Sequence, residues 1–295
     1  MPPSPGFAPR NADEAAILAD AAAQLTIFQF AADPSVVVLD FPSLQQQGRM
    51  LNRVAALVEK AGLPRDRVLT DAELDAAIRS HGDTEATYYY GHDYSAATLA
   101  HFFALADRDH VPLNASEESL RALLRQLGWF EPDPHGALIS LSREGADPDI
   151  TPWARAAILH HELSHGMFFA EPLYADFVRR FWRTALTGAE RAAMRKFLGS
   201  EDYDVTDEDL MANEMRAYLM FTADAHFFLP SNIGMTADRR AALQAEFRRG
   251  EPIGWLRGAI LGPAEAPPAH AAPERDRSPR LTSPSAASGP AAAHR

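Results

Sequence analysis

The chain has 295 residues, 46% of them hydrophobic, and a formal charge of −12. That charge, with Lys and Arg dispersed among a larger number of acids, excludes a phosphate-tracking nucleic-acid surface. The absence of cysteine excludes disulfides, thiolate nucleophiles and cysteine-type structural zinc sites.

No apolar run approaches the length of a membrane span. Met1 to Arg10 holds four prolines and lacks the charged start and apolar core of a secretory signal. These features predict a soluble protein without a membrane partner, cytoplasmic as written and with export left open. Length favours one large core. The expected organisation is a flexible start over 1–12, a single folded domain over 13–262 in which 13–110 is an optional subdomain, and a Pro/Ala-rich tail over 263–295. The tail has no apolar periodicity and is expected to be disordered.

In chain order, Val36-Val37-Val38-Leu39-Asp40-Phe41 is a β-branched run ending at Pro42 and reads as a buried strand. Met50, Leu51, Val54, Leu57 and Val58 carry a helical pattern that stops at Gly62 and Pro64. Thr87 to Gly91 reads as a second strand, followed by a helix near Ser95 to Ala106. Asn114 with Glu117 three residues on forms a capping-box pattern that opens a helix running to about Leu127. Gly136 to Ser142 alternates as a third strand. The remainder is expected to be helical, over about 152–169, 172–187, 188–199, 207–224 and 237–249, giving an α+β, mainly α-helical class.

The chemistry concentrates in His161-Glu162-Leu163-Ser164-His165. Thr151 and Pro152 start the helix that bears it, the hydroxyl as N-cap and proline at the first helical position. The two histidines, four residues apart, project from one helical face. That spacing lets both rings meet one Zn²⁺ at about 2.0–2.1 Å, and Glu162 beside them can serve as general base toward an activated water. The competing explanation is a chance His-Glu-x-x-His on a buried helix. His160 reads as a structural neighbour of the site.

A catalytic zinc requires a third protein ligand. Glu214 lies in a helix that is apolar around most of its circumference, where an unpaired carboxylate is costly. Zinc is one partner that resolves that cost, and Arg216 is another. Tyr218, one turn on, is expected either to donate its hydroxyl to a developing oxyanion or to be a core tyrosine. Glu171, six residues after His165, is the rival third ligand. It lacks the glycine needed three residues after the second histidine, where Phe168 stands, and Pro172 follows it.

His161-Glu162-x-x-His165 with Asn213-Glu214 on a later helix resembles the gluzincin group of zincin-like metallopeptidases. The resemblance implies a zincin-like core with the motif helix packed on the Glu214 helix. It further implies zinc held by His161, His165 and Glu214, Glu162 as general base, and peptide or protein as substrate, bound along an edge strand just before the motif helix. Gly136 to Ser142 is expected either to be that edge strand, paired with substrate by β-augmentation, or to be an ordinary core strand. A non-catalytic scaffold that senses metal or binds a partner is the alternative function. Two further features stay open. Tyr88 to Tyr94, including His92-Asp93, could line a cleft, and His226 is either a transition-state histidine or a core one. Oligomeric state is not readable.

Overall fold

In the computed structural model the described residues are 8–21, 23–252, 255 and 257. The expected tail at 263–295, like residues 1–7, lies outside them. Five strands, β1 (Arg10–Ala12), β2 (Thr26–Phe30), β3 (Val36–Phe41), β4 (His92–Ser95) and β5 (Ala137–Ser142), form one mixed sheet in the order β1-β2-β3-β5-β4. β1 runs parallel to β2 and β3 parallel to β5, whereas β2–β3 and β4–β5 are antiparallel. Arg10–Ala12, within the stretch expected to be flexible, thus forms a strand.

Side-chain alternation along the central strands makes two cores. Val36 and Val38 of β3 and Ile139 and Leu141 of β5 point to one face. Val37, Leu39 and Leu138 point to the other. On that second face lie α2 (Leu44–Val58), α4 (Ala96–Arg108) and α5 (Ala115–Gln126), with α3 (Asp71–Ser80) beyond. The first face is covered by α1 (Glu14–Leu18), α6 (Pro152–Ala170), α7 (Pro172–Thr184), α8 (Gly188–Ser200), α9 (Glu208–Arg216) and α10 (Ala237–Gly250). The class is α+β and mainly helical. Among the described residues no helix is long and apolar enough to cross a membrane.

Local chemistry sets the boundaries. Thr151 Oγ1 accepts from Ala154 N and Pro152 stands at the start of α6, as expected. The Asn114–Glu117 capping box opens α5 with both reciprocal bonds formed. Thr70 and Glu73 make the same box at α3, a helix the pattern reading passed over.

Two expectations are corrected, and the open alternative for Gly136–Ser142 is decided for a core strand. Thr87 to Gly91 is not a regular strand, and β4 begins at His92: a turn over 84–87, closed by Thr87 N donating to Thr84 O at 3.2 Å, precedes the segment, and within it only Tyr89 makes an isolated bridge. The helix expected over 207–224 is regular only to Arg216 and continues as a π-turn, Ala217–Phe221. β5 has no free edge, since it pairs with β3 on one side and β4 on the other, and the edge strand beside α6 is β4.

α6 is seated on the sheet by two features. Gly166 comes so close to β3 that a Cβ there would stand 2.9 Å from Val36 Cγ1. At the other end Arg155 grips buried Asp40 of β3 with both nitrogens, at 3.0 and 2.7 Å, and donates to the carbonyls of Ser142 and Ile17. A bidentate pair of this kind fixes orientation as well as distance.

Candidate metal centre

α6 and α9 face each other where the motif lies. The ligand atoms of His161, His165 and Glu214 all fall within 4.8 Å of one another. His161 Nε2 is 3.8 Å from Glu214 Oε2, and His165 Nε2 is 3.7 Å from Glu214 Oε1. Donors held at about 2.0–2.1 Å around a tetrahedral ion stand roughly 3.3–3.4 Å apart, so each histidine is within a few tenths of an ångström of that spacing from Glu214, while the widest separation in the set, up to 4.8 Å, must close by more than 1 Å. Glu171 is not among them. It sits at the junction of α6 and α7, where its backbone ends one helix and begins the next.

The site is deeply enclosed: His161 is 2% exposed, Glu162 3%, His165 0% and Glu214 2%. Among its buried atoms, His165 Nε2, Glu162 Oε2 and Glu214 Oε2 have no hydrogen-bond partner. Buried polar atoms are normally paired. Two unpaired ones on residues of the cluster, His165 and Glu214, with a third on Glu162 beside His161 in the same helix, fit a cation there.

Electrostatics point the same way. Burial, compounded by Asp93, Glu214 and Glu59, raises Glu162 well above the ordinary carboxylate range, and Glu214 is raised likewise. Burial pushes Asp93 up to about 7 and Glu59 up to about 8. The positive groups acting on these acids are Arg216 and, at Glu59, Lys60 and the more distant Arg65.

Both imidazoles are neutral. Burial drives His161 down to about 3 and His165 well below its ordinary value. Each therefore has one N–H, and ligation through Nε2 requires it on Nδ1. His161 Nδ1 lies 2.8 Å from Thr222 Oγ1. Near His165 the Asn213 side chain favours the protonated ring, and Asp93 Oδ1 lies 3.6 Å from Nδ1. Arg216 Nη2, a donor only, stands 3.2 Å from the same nitrogen, a contact in which Nδ1 accepts, so ligation through Nε2 requires the Nδ1 proton to be turned to Asn213 or Asp93 in its place. Arg216 directs its other donors to the carbonyl of Ser164 and to Asn213 Oδ1, and forms no direct pair with Glu214.

The other expected residues divide. The Tyr218 ring stands edge-on to His161, centroids 4.9 Å apart, and its hydroxyl meets that of Tyr203, which also bonds the Glu214 carboxyl. Of the Tyr88–Tyr94 segment, Gly91 abuts Glu162 and Asp93 faces His165. His92, one residue out of phase, turns to the opposite side and meets Gln47, Ser140 and Asn52. His160 bonds Glu14 of α1 at 2.7 Å, and His226 lies 3.9 Å from Asp149, outside the cluster. Sequence reasoning missed Thr222, Tyr203 and Glu59. None carries a spacing signal, because each arrives from a segment placed only by the fold.

A cavity of about 460 Å³ opens beside the cluster. Asp93, Glu59, Asn213 and Glu214 line it, with apolar walls from Phe168, Phe169 and Leu210. Comparison with known protein families, characterised sequences and solved structures returns no match.

Proposed function

We propose that the protein is a zinc-dependent hydrolase, a metallopeptidase of the gluzincin kind that acts on peptide or protein substrates. The observation that carries the reading is the convergence of His161, His165 and Glu214, from two separate helices, beside the unpartnered carboxylate oxygen of Glu162. Two imidazoles and one carboxylate form a donor set suited to catalytic zinc. Bound by these three side chains, zinc supplies Lewis acidity that polarises a carbonyl and brings the pKa of water near neutrality.

The protein's own groups supply the rest. Glu162 Oε2 takes the proton of the attacking water and returns it to the leaving amine nitrogen, so one carboxyl serves as base and then as acid. The Tyr218 hydroxyl donates to the oxygen that gains charge. Asn213 or Asp93 holds His165 through Nδ1. A substrate strand pairs with the free edge of β4, which begins one residue after Gly91 and leads the peptide past Glu162.

Glu162→Gln tests this directly. The amide keeps the shape and leaves the three ligands intact, so zinc content should be unchanged while peptide hydrolysis disappears. A second reading, a metal-holding protein without turnover, is favoured by the enclosure of all four side chains. Under that reading E162Q leaves the biological activity untouched.

A further inference from the structure

We propose that Thr222 is the positioning residue for His161, and that the π-turn Ala217–Phe221 is the device that brings it there. The inference rests on the metal-centre reading and deepens it. Glu214 and Thr222 are eight residues apart. On a regular α-helix, at about 100° per residue, eight steps leave Thr222 roughly 80° around the axis from Glu214. The π-turn, closed by Thr222 N to Ala217 O at 3.0 Å, takes up one residue more than an α-turn. Thr222 then falls where a seventh step would put it, roughly 20° from Glu214.

The two side chains therefore share the face turned toward α6 and meet the same ring at its two ends. Glu214 Oε2 lies 3.8 Å from His161 Nε2, and Thr222 Oγ1 lies 2.8 Å from Nδ1. The Thr222 hydroxyl has one proton and gives it to the carbonyl of Ala217 at 3.0 Å. Its lone pairs are left for His161, so Nδ1 must be the donor. Nε2 then keeps its lone pair, directed at Glu214 and the ion position. Thr222 is fully buried, so no water substitutes for it.

The test uses the full-length protein and two variants, T222V and T222S, with two readouts. The first is zinc affinity, measured by competition with a chromogenic chelator. The second is the His161 tautomer in metal-free protein, read from its side-chain ¹⁵N shifts. Wild type and T222S should show the Nδ1–H form and the same affinity. T222V should lose the tautomer preference and bind zinc about 10–100-fold more weakly. An Nε2–H tautomer at His161 in the wild type overturns the proposal without recourse to any variant. Unchanged affinity and tautomer in T222V also overturn it. A wild type that binds no zinc overturns the metal reading, while the tautomer, taken on metal-free protein, still decides what Thr222 does.

Discussion

Gly91 faces Glu162 so closely that a Cβ on Gly91 would stand 2.1 Å from the carboxylate oxygen Oε1 and 2.6 Å from Cδ. The atoms approached are all in the far half of the Glu162 side chain, so the carboxylate must swing away to admit a methyl group. Gly91 belongs to none of the ligand-bearing helices. G91A should therefore leave the zinc content of the purified protein at the wild-type level while lowering peptide hydrolysis by on the order of 100-fold, the cost of misplacing a reacting group by about 1 Å. Metal analysis and kinetics on one preparation check this, and a G91A enzyme of normal rate would place the base elsewhere.

The ligand set makes a sharper demand on metal stoichiometry. H161A, H165A and E214A should each lose tightly held zinc after dialysis against a weak chelator. E171A should retain it, because that side chain sits at the α6–α7 junction outside the cluster. Inductively coupled plasma measurement on the four variants settles the assignment, and retention by E214A with loss by E171A would reverse it.

On the proposed reading, removing zinc should also cost stability, since it leaves buried carboxylates without compensation. A ligand present at 1,000 times its Kd stabilises the folded state by about 4.1 kcal/mol, and in a domain of this size each kcal/mol corresponds to about 2–4 °C in Tm. Calorimetry with and without chelator should show a drop of roughly 8–16 °C at that excess. No shift at all would argue that the cluster is satisfied without metal.

Away from the site, the Arg155–Asp40 pair seats α6 on the sheet with both side chains 2% exposed. Truncating one member strands a buried charge, so R155A should lose about 3–5 kcal/mol in urea denaturation. The double variant D40L/R155M should lose much less, because it removes both charges together. Equal losses in the two would show that the pair acts only by packing.

A pH effect is expected at the α8–α10 contact. Arg239 binds Glu190 through two nitrogens at 2.6 and 3.0 Å and, with Thr187, holds its carboxyl down at about 2 from an ordinary 4.5. A carboxyl lowered on folding contributes stability above its unfolded value, and that contribution fades as pH falls from about 4.5 toward 2. Wild type should therefore lose stability more steeply than E190Q across that window. Parallel acid-unfolding curves would count against the contact.

Much of this architecture is legible in the residues, because its signals are local. Val36–Phe41 is a strand at the predicted bounds, and Thr151-Pro152 and Asn114–Glu117 start helices through short-range hydrogen bonds. Glu214 was reachable by a physical argument about an uncompensated buried charge. Strand order was not: whether Ala137–Ser142 is an edge depends on where His92–Ser95 docks, a contact between segments over 40 residues apart. The three tyrosines Tyr88 to Tyr90 have strong β propensity, yet tertiary packing overrides it. Thr222 is the clearest case of an illegible residue. Ideal helical periodicity points it away from Glu214, and only the π-turn, which leaves no mark in apolar spacing, returns it to the site.

The sheet order also bears on how the chain matures. Among the described residues β5 is the last strand in sequence and the one that joins β3 to β4, with about a hundred residues between β3 and its parallel partner. Until residue 142 has been made, the apolar flank of Val36–Phe41 is an open edge, of the kind that pairs with other chains. Long-range parallel pairing is slow to form. The chain therefore passes through a window, closing only as the helix that bears His161 and His165 follows β5 out, in which a nascent or refolding molecule is most exposed to aggregation.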